Sequence, residues 1–320
     1  MQPRSRIAQE IARQGGWIPF ARYMQLALHE PGLGYYARGT RKFGPQGDFV
    51  TAPELGDLFG RTLARQLAAI PGGRVLELGA GSGALAETLL KALECEYFIL
   101  ETSAELRQRQ RTRLPSGVTF VDELPRNFKG AIVANEVADA IPVHAVHWAE
   151  EGILERGVGP GLSWNDRPAS GTLLEAAREI EVPRPYVSEI NLLLKPWVRS
   201  LVDCLERGAL FIVDYGFPRH EYYHPQRSSG TLMCHYRHQA HADPFSRPGE
   251  EDITAHVDFS AAAAAALEVG AQLLGYATQA QFLVNCGITD VLGEANIENA
   301  LHYAPIAAQA QTLLSPAEMG

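Results

Sequence analysis

The run Glu77-Leu-Gly-Ala-Gly-Ser-Gly83 carries the plainest chemistry in the chain. Glycines at this spacing let a backbone turn sharply and approach a ligand closely, and a helix starting just after them offers free N–H groups. A dinucleotide fold uses the same geometry with the spacing G-x-G-x-x-G. Here the spacing is G-x-G-x-G, an acid precedes it, and Ala86 stands where the third dinucleotide glycine belongs. That pattern favours S-adenosylmethionine as the ligand, with Glu77, Gly79, Ala80, Gly81 and Gly83 around it. Glu101 follows Gly83 at the distance where such folds place an acid on the ribose hydroxyls, and Asp122 is the candidate for the adenine amino group. The plainer alternative is that the glycines only cap a turn and Glu101 is a solvated strand end.

These residues need strands that end in a row. The pattern supplies them: an apolar strand over 74–78, a helix over 84–93, and a strand over 97–100. A helix over 103–114 follows with Ser103 as N-cap, then strands over 118–121 and 131–134. Strands alternating with helices predict a Rossmann-like α/β fold with a mainly parallel, doubly wound sheet. The next comparable strand, 210–213, comes about seventy residues later. The intervening insertion, at about 140–208, has apolar stretches at 143–148 and 153–154 and ends in an expected helix over 188–207. Residues 1–70 read as a helical, lid-like region with a glycine-rich interruption. Residues 71–320 read as the core, with an extension at about 217–320.

Composition narrows the class. The 320 residues carry 28 Lys+Arg against 37 Asp+Glu, a net charge of −9, which argues against a dedicated nucleic-acid binder. Hydrophobic residues make up 46% of the chain and charged ones 20%, an ordinary globular balance. The four cysteines include no C-x-x-C pair, so neither a zinc site nor a disulfide framework is expected. The N-terminus shows no secretory signal, and the most apolar stretch, 261–277, is interrupted by Glu268 and Gln272, so no membrane span is expected. A cytoplasmic protein is the reading that fits.

Further runs join the glycine loop: Tyr35-Tyr36, Gly47-Asp-Phe-Val-Thr-Ala-Pro-Glu54, Phe59-Gly60, Asn135-Glu136-Val-Ala-Asp139-Ala-Ile-Pro142, Asp214-Tyr-Gly216, Gly230-Thr-Leu232, Val257-Asp-Phe259, Thr278-Gln279 and Phe282-Leu283. In this order, from about residue 17 to 290, they resemble the MidA-like S-adenosylmethionine-dependent methyltransferases, a family that includes the mitochondrial complex I assembly factor, a protein arginine methyltransferase. The resemblance implies a class I methyltransferase acting on arginine in a partner protein, with a complex I subunit among the candidate partners, and a mitochondrial matrix location for a eukaryotic member. It also implies that 47–54 covers the cofactor, with Asp48, Thr51 and Glu54 near it.

Arginine as acceptor sets a chemical problem. Its guanidinium is protonated up to a pKa above about 12, so carboxylates must grip it and take a proton as the C–N bond forms. Glu136, just after the fourth strand, stands at the carboxyl edge of the sheet where substrate meets cofactor, and Asn135 beside it is placed to orient the substrate. Glu189 is a second carboxylate candidate, or an acid favoured by the start of the expected helix. His256 is a candidate base, or a structural histidine, and Asp258 suits an N-cap. His235, His238 and His241 invite a metal, but Asp243-Pro244 follows at once and no cysteine joins them, so none is expected. Two other functions remain open: a small-molecule methyltransferase and a non-catalytic, cofactor-binding assembly factor.

Overall fold

The computed structural model describes residues 2–38, 47, 50–296, 299–316 and 318–320. The chain divides into two compact units, one of Met1–Thr40, Glu136–Ser200 and Asp214–Ala271, the other of Arg41–Asn135, Leu201–Val213 and Gln272–Gly320.

The second unit holds a five-stranded sheet. Its order is Leu205–Val213, Phe128–Asn135, Arg74–Leu78, Glu96–Leu100, Thr119–Val121, and every pairing is parallel. Parallel strands covered on both faces must be apolar on both, and Val75, Leu76, Ile99, Ile132 and Val133 are all buried. Helix Leu58–Leu67 lays Leu58, Phe59, Leu63 and Leu67 onto a core that includes Tyr97, Leu89, Leu283, Val291 and Leu313. The chain visits the sheet from the middle outwards and then reverses, so Arg74–Leu78 and Phe128–Asn135 flank the switch point. In open α/β sheets, ligands bind at the carboxyl ends of strands beside that point. Near the opposite, amino ends of two neighbouring strands, two glycines allow a close backbone approach. Gly130 and Gly208 are register partners at φ +149° each, and a Cβ on Gly208 would run into the Gly130 carbonyl.

The first unit contains antiparallel strands His144–Ala149, Gly152–Gly159, Ser163–Pro168 and Tyr186–Ile190, with Ile18–Pro19 paired to Gly152–Gly159. Val146, Trp148, Leu173, Tyr186, Ile190, Tyr222 and Tyr223 form its core.

The insertion departs from expectation. In place of one helix over 188–207, a strand ends at Ile190, helix Leu194–Cys204 follows, and Leu205 already belongs to the next strand. Asn191 makes the break, because its side-chain oxygen accepts the N–H groups of Leu193 (3.0 Å) and Leu194 (2.9 Å), a capping geometry that starts a helix. The histidine run is also not helical. Met233–Tyr236 and Gln239–His241 form a hairpin with Arg237 and His238 at positive φ in its turn. Among the described residues, no helix is long and apolar enough to cross a membrane.

Candidate functional site

The glycine run joins a strand to a helix, as its spacing predicts. Strand Arg74–Leu78 ends, Gly79, Gly81 and Gly83 take φ of +60°, +53° and +83°, and helix Ala84–Ala92 begins with Gly83 as N-cap. L side chains resist that left-handed region, so glycine at these positions is a backbone requirement. Ala80 is buried beneath the loop, and Gly79 N–H donates to Leu100 O (2.9 Å), tying the loop to the next strand.

Glu54 reaches the same region from the preceding segment. Thr51 is buried ahead of the short turn Ala52–Glu54, and the Ser82 hydroxyl donates to Glu54. Asp48 lies outside the described residues.

Glu101 sits at the end of its strand and is buried. Its carboxylate accepts Ser103 N–H (2.9 Å) and the Gln110 side-chain amide (3.0 Å), and burial pushes its pKa up against those bonds. Asp122 is exposed, and its carboxylate meets Arg107 at 2.6 Å. Glu77 lies inside the sheet and not in the loop. It is 3% exposed, accepts the Tyr97 hydroxyl (2.8 Å), and burial pushes it up to about 7.

One helix face holds these parts together, and sequence reading missed it. On Ala104–Arg113, capped by Ser103 as expected, Arg107, Gln110 and Arg113 recur every three residues and so share a face. Arg107 donates to the carbonyls of Glu101 (3.1 Å) and Val121 (2.9 Å), joining two strand ends. Gln110 donates to Gly81 O (2.9 Å) as well as to Glu101. Arg113 donates to Ser82 Oγ (3.0 Å) and pairs with Glu87 (2.7 Å).

Strands Phe128–Asn135 and Leu205–Val213 pair through Asn135 and Val213, and the chain continues from them as Glu136 and Asp214. Asn135 and Glu136 are half-buried, and Glu136 has φ +51°, a conformation costly for a non-glycine residue. Asp214 holds the turn that follows. Its Oδ2 accepts the N–H groups of Val137 (3.1 Å), Ala138 (2.8 Å) and Asp139 (3.2 Å), and its Oδ1 that of Tyr215 (2.8 Å). Burial nevertheless pushes Asp214 up to about 7. Asp139 is buried and raised well above the usual carboxylate range, first by burial and then by the charges of Asp214, Asp252 and Glu136. Tyr36 OH donates to Asp252 (2.9 Å).

Glu189 and His256 meet at Thr231. Glu189 is not at a helix start. It is a buried strand residue whose Oε2 accepts the Thr231 N–H and hydroxyl (2.9 Å each), while the His256 N–H donates to the same hydroxyl oxygen (3.0 Å). Gly230 is glycine because a Cβ there would collide with the Glu189 carboxylate. Burial and then the charge of Arg227 hold His256 down at about 4, so its ring is neutral at pH 7. Asp258 is the N-cap of Phe259–Glu268, accepting Ala261 N–H (3.0 Å).

A family profile of S-adenosyl-L-methionine-dependent methyltransferases matches residues 58–277. Among curated proteins, "Protein arginine methyltransferase NDUFAF7, mitochondrial" of Danio rerio is 30% identical, the match covering 85% of this chain and 74% of the relative. A Burkholderia thailandensis crystal structure bound to S-adenosyl-homocysteine is 47% identical with a TM-score of 0.94, covering 99% of this chain and 88% of that one. A native crystal structure from the same organism gives 48% and 0.91 over the same shares. The chain belongs to the family of S-adenosyl-L-methionine-dependent methyltransferases, and S-adenosylmethionine is its cofactor.

Proposed function

We propose that this methyltransferase transfers the methyl group to a guanidinium nitrogen of arginine in a protein substrate. The observation that carries the reading is the acid-rich turn Glu136–Asp139, fixed by Asp214 through three successive N–H bonds directly after a strand end of the sheet. The half-buried Glu136 carboxylate on this turn suits a cation. The relatives named protein arginine methyltransferases support the same acceptor.

The residues fit the cofactor. Gly79, Gly81 and Gly83 present backbone without side chains at positive φ, a surface an adenosine and its amino-acid tail can approach. Glu101 accepts the ribose hydroxyls, and Asp122 takes the adenine amino group. By the family resemblance Thr51 and Glu54 belong to the covering segment, and Glu77 braces the loop from within the sheet. When bound, S-adenosylmethionine supplies a sulfonium-activated methyl group open to in-line displacement.

The chain's own part is alignment, water exclusion and proton handling. Such positioning can supply about 7–11 kcal/mol of barrier reduction. Asn135 orients the guanidinium. Glu136 grips it, localises its charge away from the attacking nitrogen, and accepts the proton that nitrogen gives up as the N–C bond forms. Glu189 and His256, joined through Thr231, frame the Gly230–Leu232 segment.

The acceptor is a protein, with a respiratory complex I subunit the first candidate by family resemblance. We place the reaction in a reducing, cytoplasmic-type compartment, where the free cysteines Cys95, Cys204, Cys234 and Cys286 persist. The test is to incubate the protein with methyl-labelled S-adenosylmethionine and host extract, then hydrolyse the protein fraction. Label in methylated arginine supports the reading. Label in the small-molecule fraction, or in lysine, overturns it.

A further inference from the structure

We infer that Gln110 is a positioning residue for cofactor binding: its side-chain amide bridges the Gly81 carbonyl and the Glu101 carboxylate, fixing the distance between the loop and the ribose-binding acid. The inference rests on the reading that Glu101 receives the ribose.

Geometry carries it. Gln110 is fully buried, and its Nε2 spends both donors on cofactor elements, Gly81 O at 2.9 Å and Glu101 Oε2 at 3.0 Å. A glutamine amide has two such protons, so the bridge uses all of them. Gly81 and Glu101 lie on different βα turns, which also meet through Gly79 N–H on Leu100 O (2.9 Å) and Gly81 N–H on the Glu101 carboxylate, and Gln110 is the side chain that bonds to both. Arg107 and Arg113, one helical turn to either side, hold the flanking strand end and Ser82. They fix the frame, while Gln110 touches the two groups the ligand meets.

The bridge also tunes Glu101. Around that carboxylate stand Gln110, the Ser103 and Gly81 N–H groups and Arg107, which favour its charged form, and Glu77 on the adjacent strand, whose charge opposes it. A charged carboxylate is the better acceptor for hydroxyls. Removing the amide therefore weakens ribose binding and makes it more sensitive to acid. Replacing it by a carboxyl sets two acids about 3 Å apart, which can hold one charge between them only by sharing a proton, so binding improves as pH falls.

Two variants separate these effects. S-adenosylhomocysteine is titrated calorimetrically into wild type, Gln110→Leu, Gln110→Glu and Glu101→Gln at pH 8 and pH 6. Burial also raises Glu77 to about 7, so each slope is compared with that of wild type. The expected result is binding weakened about tenfold or more at pH 8 in both Gln110 variants. On moving to pH 6, Gln110→Leu loses more affinity than wild type and Gln110→Glu regains some. A packing role alone predicts no such opposed slopes, and the near-isosteric Gln110→Glu decides the matter if the leucine variant does not fold. Wild-type affinity and slope in the Gln110 variants, with Glu101→Gln impaired, overturn the inference. Wild-type affinity in Glu101→Gln overturns the ribose reading itself.

Discussion

Glu77 offers a sharp test of how the loop is supported. Its position before the glycines invites a role on the ligand, yet its carboxyl is 3% exposed inside the sheet and engaged by Tyr97 OH at 2.8 Å. Burial lifts it from 4.5 to about 7, with the Tyr97 bond opposing and the Glu101 charge adding to the rise. A raised folded-state pKa means the folded protein binds the proton more tightly than the unfolded chain between those two values. The stabilising contribution is complete below about pH 4.5 and is lost as pH rises through about 7. At 1.36 kcal/mol per pH unit, ionised Glu77 at pH 8 costs the fold about 3 kcal/mol. Glu77→Gln keeps an oxygen for Tyr97 and removes the charge. We expect the variant to be more stable than wild type by about 2–3 kcal/mol at pH 8, the gain shrinking towards pH 5. Urea unfolding at pH 5, 6.5 and 8 measures it, with S-adenosylhomocysteine titrated in parallel at pH 8. Equal or lower stability of the variant at pH 8 would refute the burial argument. An affinity loss without a stability change would return Glu77 to the ligand.

Other perturbations separate binding, chemistry and fold. Gly81→Val puts a β-branched residue at φ +53° against the ligand surface, so S-adenosylhomocysteine should give no binding heat while circular dichroism stays native. Glu136→Gln should bind S-adenosylhomocysteine within about threefold of wild type yet lose methyl transfer by about a hundredfold or more, the loss expected for a general base. Asp214→Ala leaves the N–H groups of Val137, Ala138, Asp139 and Tyr215 without their acceptor. It should destabilise by about 3 kcal/mol or more in urea unfolding and abolish turnover with it. Gly208→Ala drives a methyl group into the Gly130 carbonyl at φ +149°, and the strained pair should lower stability by about 2–4 kcal/mol.

The sheet was legible because it is written locally. Short apolar runs such as Arg74–Leu78 and Glu96–Leu100, separated by a glycine turn and a capped helix, are visible in any window of about twenty residues. Ser103 could be named as a cap because its bond to Leu106 N–H spans three residues. The insertion resisted the same treatment. Ser188–Ile190 followed by the Leu194–Cys204 residues looks like one helical stretch, and only the folded sheet claims Tyr186–Ile190 as a strand paired with His144–Ala149. Propensity lost there to strand pairing, which no local window contains.

The site divides along the same physical line. The residues proposed for ligands, Gly81, Glu101 and Glu136, stand at or just after strand ends, so they can be nominated from spacing alone. Residues that hold those groups in place bond across long sequence distances: 29 residues from Gln110 to Gly81, 42 from Thr231 to Glu189, 76 from Asp214 to Ala138. Yet one trace of them is readable. Helix Ala104–Arg113 buries only Leu106 and Gln110, so a glutamine occupies a place where an amphipathic helix ordinarily presents a second apolar side chain. A buried amide requires partners for its protons, and the carbonyls and carboxylates available to a helix packed beside a glycine loop are those of the loop and the strand ends. A polar residue on the inward stripe of the helix that follows the strand next to such a loop is therefore a signal for the support of a binding site, and helical spacing from the N-cap is enough to locate it in a sequence.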